Sequence, residues 1–190
     1  MNILEAYLKK YKQIIILILG LPCTNKSEIA KEFGIDLGLE VIKINDYLIE
    51  DKFEEVDIDG NKIKLYEDTK NYDWDKLNST INDLKSNGVI LYGNYLDIDK
   101  IESEIDFIFF YSMNIKMCKK ILVEKKMIEF KESDPLLNIY FDKVFIPLYD
   151  NIKNKIKINK FFNIKEETTF DESYDEVFEI LMELISKKLK

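Results

Sequence analysis

Ile14-Ile15-Ile16-Leu17-Ile18-Leu19-Gly20-Leu21-Pro22-Cys23-Thr24-Asn25-Lys26-Ser27-Glu28-Ile29-Ala30 is the stretch on which the reading of this chain turns. Its first six residues are apolar and mostly β-branched. They predict a strand buried on both faces, as inner strands of parallel sheets are. Gly20 ends the strand and a tight loop follows. Lys26-Ser27 then opens a helical pattern with Ile29, Ala30 and Phe33 on one side, which Gly34 is expected to stop. Strand, loop and Lys-Ser helix start are the context of a phosphate-binding P-loop, patterned as Gly, four residues, Gly, Lys and then Ser or Thr.

In Gly20-Leu21-Pro22-Cys23-Thr24-Asn25-Lys26-Ser27 the second glycine is Asn25. Backbone N–H groups of such a loop and of the helix start point at a β-phosphate. Lys26 would bridge the β- and γ-phosphates and Ser27 would hold Mg²⁺, so all eight residues are candidate nucleotide contacts. Asparagine tolerates positive φ better than most side-chain-bearing residues, so the loop can form, although the amide crowds the nucleotide. The plainer alternative is a strand–turn–helix that happens to contain Lys-Ser.

The 190 residues fit one domain with a sizeable core, at 46% apolar and 34% charged content. The run Ile14–Leu19 is too short to span a bilayer, and Glu5 ahead of it does not fit a signal peptide. Two cysteines, Cys23 and Cys118, imply no disulfide framework and suit a reducing, cytoplasmic setting. A net charge of −8 argues against nucleic acid as the main ligand. The chain has no histidine and no arginine and is rich in Lys, Asn and Ile. This bias suggests an AT-rich genome, such as that of a parasite or a large DNA virus, with the host cytoplasm as the location in the viral case. It also means that no guanidinium clamp can come from this chain, and lysine is not its equivalent.

Ahead of the loop, Asn2–Tyr11 has helical spacing and is expected to pack near the sheet edge. Beyond it, 39–44 reads as a second strand with Asn45-Asp46-Tyr47 past its carboxyl end, where α/β sheets bind ligands. Val56-Asp57-Ile58 and Ile63-Lys64-Leu65 flank Asp59-Gly60-Asn61, a hairpin signal. The hairpin insertion spans about 54–67 and is either a cover for an acceptor or a surface ornament. Tyr72-Asp73-Trp74-Asp75 starts a helix, with Asp73 or Asp75 as cap, and Asn87-Gly88 ends it. Strands follow at 89–93, 105–111 and 160–164. Helices are expected at 115–127, at 136–156 with a bend or break at Pro147, and at 172–188, with 132–135 as a loop. This alternation predicts an α/β fold, a three-layer α/β/α sandwich with a five-stranded parallel sheet, the P-loop NTPase fold, and a small inserted β-hairpin.

The order of these motifs resembles the uridine kinase and nicotinamide riboside kinase family of P-loop kinases. The resemblance rests on the P-loop, Asn45-Asp46-Tyr47, Tyr72-Asp73-Trp74-Asp75, Gly88–Gly93 and Tyr140–Tyr149, over roughly residues 14–165. It implies transfer of the γ-phosphoryl of ATP, with Mg²⁺, to a ribose 5′-hydroxyl. Lys26 and Asp46 are then the catalytic candidates, Asp46 accepting the hydroxyl proton. Asp46, Tyr47, Tyr72, Asp73 and Tyr92 are the acceptor-site candidates, with helix capping (Asp46) or core packing (Tyr47) as alternatives. The chain departs from the family in two further places. Tyr92-Gly93 stands where the family carries Glu-Gly, and its arginine-rich lid segment is matched by lysines, of which Lys119 and Lys120 are the lid candidates. Two readings therefore stand: a nucleoside-type kinase, monomeric or homodimeric and binding neither nucleic acid nor membrane, or a catalytically degenerate P-loop protein that binds nucleotide or a protein partner without turnover.

Overall fold

The computed structural model describes residues 2–49, 55–58, 60–64, 71–94, 96–125, 135–165 and 168–190. Strands β1 (Ile15–Gly20), β2 (Glu40–Lys43), β5 (Val89–Gly93), β6 (Phe107–Met113) and β7 (Lys160–Ile164) form one parallel sheet in the order β2-β5-β1-β6-β7. The parallel α/β/α arrangement expected from the sequence is present. Ile15–Leu19 are fully buried, which accounts for the unbroken apolar run of β1. Helices α1 (Ile3–Tyr11), α2 (Lys26–Leu37) and α7 (Phe170–Leu189) share one face, α1 set against β6 by Tyr7 on Phe107 and α2 joined to α7 by Phe33 against Tyr174 and Phe178. Helix α6 (Ile146–Lys155) covers the other face, with Tyr149 against Phe110. Helices α3 (Trp74–Leu84), α4 (Ile115–Glu124) and α5 (Pro135–Tyr140) complete the helical set. No helix among the described residues is long and apolar enough to cross a membrane.

The hairpin is present as antiparallel β3 (Glu55–Ile58) and β4 (Asn61–Lys64), with Ile58 opposite Asn61 and Gly60 at φ +84°. The Gly60 N–H donates to Asp57 Oδ1 at 2.8 Å. Asp59, Leu65, Lys126, Met127 and most of the expected 132–135 loop lie outside the described residues.

Several expectations are corrected. Helix α2 passes through Gly34 and is capped by Gly38 at φ +66°. A Cβ at Gly34 would sit 2.4 Å from Val41 Cγ2, so that glycine serves close packing against β2 and does not stop the helix. Helix α1 does not sit at a sheet edge. It lies at the amino end of the central strands, where Tyr7 Oη donates to Asp106 Oδ1 at 2.8 Å and the Ile15 N–H to Asp106 Oδ2 at 2.8 Å. Those bonds hold Asp106 as a side-chain clamp, so β6 starts at Phe107 and not at Ile105. The helix expected to bend or break at Pro147 widens before it: Phe141–Phe145 form a π-helical turn between α5 and α6. Proline lacks the N–H that an α-helical turn would use, and the wider turn places it in the first turn of α6. Helix α7 begins before residue 172, because Thr169 and Glu172 form a capping box.

Candidate functional site

The strand order switches sides at β1, with β2 and β5 on one side and β6 and β7 on the other, the place where α/β sheets open a crevice at the strands' carboxyl ends. Gly20 closes β1 at φ +145°, and a Cβ there would lie 2.0 Å from the Tyr111 carbonyl oxygen. Only glycine fits. The Leu21 N–H then donates to that same carbonyl at 2.9 Å, and Tyr149 Oη donates to Gly20 O at 3.4 Å. The loop turns through Cys23 at φ 63° and Asn25 at φ 56°. Asn25 thus adopts the left-handed conformation that the motif's second glycine would supply, and its side chain makes no cap bond to α2.

Two side chains close the loop on itself. Thr24 Oγ1 donates to Leu21 O at 2.8 Å and Lys26 Nζ to the same oxygen at 2.7 Å. Around them lies a cavity of about 400 Å³ lined by residues 22–28 of the loop, by Lys43 and Asn45 from the end of β2, by Tyr92, Gly93 and Asn94 from the end of β5, and by Lys125. That volume is in the range of small-molecule sites. Ser27 Oγ donates to Glu28 Oε2 at 2.7 Å. Among the described residues no three His, Cys, Asp or Glu side chains converge on a metal position. The Ser27 hydroxyl and the Glu28 carboxylate are adjacent hard-oxygen donors of the kind Mg²⁺ takes, and the side-chain carbonyls of Asn25, Asn45 and Asn94 also line the cavity.

Electrostatics follow from this packing. Burial opposes ionisation of Glu28, but the bonds from the Ser27 hydroxyl and its own backbone, with Lys31 and Lys125 nearby, hold its carboxyl below the ordinary glutamate value. Burial raises the Tyr92 phenol; Lys43 pulls it down, while Asp46 and Glu28 add to the rise. Tyr92 thus stays neutral at neutral pH and brings no charge. Burial also moves Lys26 from the ordinary 10.5 down to about 8, against the opposing pull of Cys23, Cys118 and Glu28.

Between those values the unfolded chain holds more protons than the folded one, so the lysine's burial penalty is relieved as pH rises from about 8 to 10.5. Anion binding runs the other way, since it needs the ammonium. Nucleotide affinity is expected to fall as pH passes about 8. Lys26→Ala should bind about 10–100-fold more weakly at pH 7, the worth of one charged hydrogen bond, and lose that pH dependence. Calorimetry on both proteins at pH 7 and 9 measures the two effects.

The expected site residues divide into two groups. Pro22, Cys23, Thr24, Asn25, Lys26, Ser27 and Tyr92 line the cavity, with Gly20 and Leu21 forming the strand end beneath it. Asp46, in the 3₁₀ turn Ile44–Tyr47, is exposed and does not line the cavity; it pairs at 3.2 Å with the lining residue Lys43. Tyr47, Tyr72 and Asp73 are not cavity-lining residues. The Asp73 N–H donates to Tyr47 O at 2.8 Å, and the Asp73 side chain caps α3 by accepting from Lys76 N at 3.0 Å. Tyr72 is buried and bridges to Leu48. Lys119 reaches Asn138 and the Phe141 ring, and Lys120 pairs with Glu124 at 3.9 Å, so neither lines the cavity, and the lysine that reaches it from the end of α4 is Lys125. Glu28, Lys43 and Asn94 were not anticipated. Glu28 could have been found from its place in the first helical turn after Ser27, and Asn94 from its place just past β5.

With this geometry in hand, the fold has solved counterparts. The Bacillus subtilis YorR protein, whose crystal structure holds phosphorylated GDP, is 15% identical over 88% of this chain and 95% of its own, with a TM-score of 0.51. The thymidylate kinase of Candida albicans is 16% identical over 94% of both chains, with a TM-score of 0.54. A gluconokinase of Sinorhizobium meliloti is 12% identical over 92% of this chain and 95% of its own, also at 0.54. This is the P-loop kinase fold. No family model and no curated protein matches the sequence. The P-loop kinase fold also explains why the cavity joins loop residues to the ends of β2 and β5: both strands lie on the same side of β1 and end beside the loop.

Proposed function

We propose that the chain is an ATP-dependent phosphotransferase acting on a nucleoside-type small molecule of the uridine, cytidine or nicotinamide riboside class, with a ribose 5′-hydroxyl as acceptor. The observation that carries this reading is the loop itself. Gly20–Ser27 bends through two left-handed residues and places Lys26 and the start of α2 in a cavity whose far wall comes from β2 and β5. On this reading the loop amides and Lys26 hold the phosphates, Ser27 contributes an oxygen to Mg²⁺, and Asp46, paired with Lys43, accepts the hydroxyl proton. Phosphoryl transfer asks for such positioning and charge neutralisation more than for covalent chemistry. The kinases among the structural counterparts support the general class, and the motif order in the sequence supports the nucleoside type.

One observation favours a second reading. The Tyr92 phenol is buried and neutral at the end of β5, where a carboxylate would aid catalysis. A silent nucleotide-binding protein is consistent with that exchange. Transfer of labelled phosphate from ATP across a panel of ribonucleosides and nicotinamide riboside separates the two. Transfer to at least one acceptor is expected; ATP binding with transfer to none would replace the kinase by the binding protein.

A further inference from the structure

Glu28 is the carboxylate that lines the cavity among the described residues, and the cavity's other charged lining groups are the lysines 26, 43 and 125. Its Oε2 accepts the Ser27 hydroxyl at 2.7 Å, one residue from the lysine that would meet phosphate. Lys26 spends its contact on the Leu21 carbonyl and Lys43 is paired with Asp46 at 3.2 Å, so neither is bonded to Glu28. A nucleotide arriving without metal would bring its phosphate charges beside this carboxylate. A divalent cation between the two reverses the sign of that interaction and satisfies both. The end of β5 offers no competing acid, because Tyr92 stands there.

We propose that Glu28, beside Ser27 Oγ, is the carboxylate that couples nucleotide binding at this loop to a divalent cation, taking over from α2 the role that Tyr92 cannot play at the end of β5. The inference rests on the loop's being a nucleotide site, but it does not depend on turnover. Two protein oxygens are too few to hold Mg²⁺ on their own, so the cation binds together with phosphate oxygens. Metal and nucleotide then raise each other's affinity by one and the same factor.

The test is calorimetric titration of ADP with and without Mg²⁺ into wild type and Glu28→Gln, with Glu28→Ala as a second variant should the amide disturb the first turn of α2. In wild type, Mg²⁺ should raise ADP affinity at least about tenfold, within the 5–150-fold span usual for coupled sites. In Glu28→Gln, metal-free ADP should bind more tightly than in wild type, and the Mg²⁺ enhancement should shrink by about tenfold. The same enhancement in wild type and both variants would overturn the inference and leave the phosphotransferase reading untouched. ADP binding to wild type neither with nor without Mg²⁺ would overturn both. Mn²⁺ resonance with ADP gives a readout independent of heat: immobilised cation with wild type and free cation with Glu28→Gln support the assignment, and immobilised cation with both removes it.

Discussion

Asp46→Asn should keep nucleotide binding and cut phosphoryl transfer by about 10²–10⁴-fold, the usual contribution of general-base assistance. The carboxylate is 3.2 Å from Lys43, and Lys43 lines the cavity, so on the phosphotransferase reading Asp46 would meet an acceptor hydroxyl from the β2 side. Asparagine keeps the shape and loses the ability to take a proton. The ion pair with Lys43 is exposed on both sides, 50% and 65%, so its loss should change stability by no more than about 1 kcal/mol. Single-turnover transfer to the best acceptor of the panel measures the effect. Equal rates in wild type and variant would move proton acceptance to another group.

Gly20→Ala should be the most damaging single methyl in the chain. Its φ of +145° is a conformation that side chains avoid, and the new Cβ would fall 2.0 Å from the Tyr111 carbonyl oxygen. Backbone strain of about 1–3 kcal/mol adds to overpacking of about 1–3 kcal/mol. The clash is with backbone on the neighbouring strand, so no rotamer relieves it. Urea unfolding should show a midpoint far below that of wild type, and Gly38→Ala is the comparison: φ +66° but open space around the Cβ. Similar losses at both positions would mean that conformation, and not the approach of β6, sets the cost.

How legible the molecule was depended on how local each determinant is. The β1 run, the hairpin signal at Gly60 and the Asp73 cap are written in a few adjacent residues, and strand β1, the paired strands β3 and β4 and helix α3 appear near their expected places. Gly34 misled because its role is set by Val41, seven residues away and on another element. The π turn before Pro147 reflects how a helix accommodates proline in a packed setting, which no residue pattern encodes. At the site, the loop was readable because its conformation is a property of its own sequence. Of the opposite wall Tyr92 was legible, whereas Lys43 and Asn94 come to it from β2 and β5 through the strand order β2-β5-β1, which alternation alone does not specify. Tyr47, Tyr72 and Asp73 show the converse, since residues near the cavity in sequence order are used to tie the 3₁₀ turn to α3.

The clamp at Asp106 reaches beyond the sheet. Lys188 on α7 donates to Tyr7 Oη at 3.2 Å, and Lys10 and Tyr11 of α1 donate to the Lys188 carbonyl at 3.0 and 2.5 Å. The first and last helices are thereby stitched together at the amino end of the strands, while the P-loop opens at the carboxyl end. Residues 10 and 189 lie side by side, with Lys10 Nζ 3.2 Å from the Leu189 carbonyl. The last helix is thus buttoned to the end of the first at the pole of the sheet opposite the cavity, so whatever loosens those bonds is remote from the mouth of the phosphate loop.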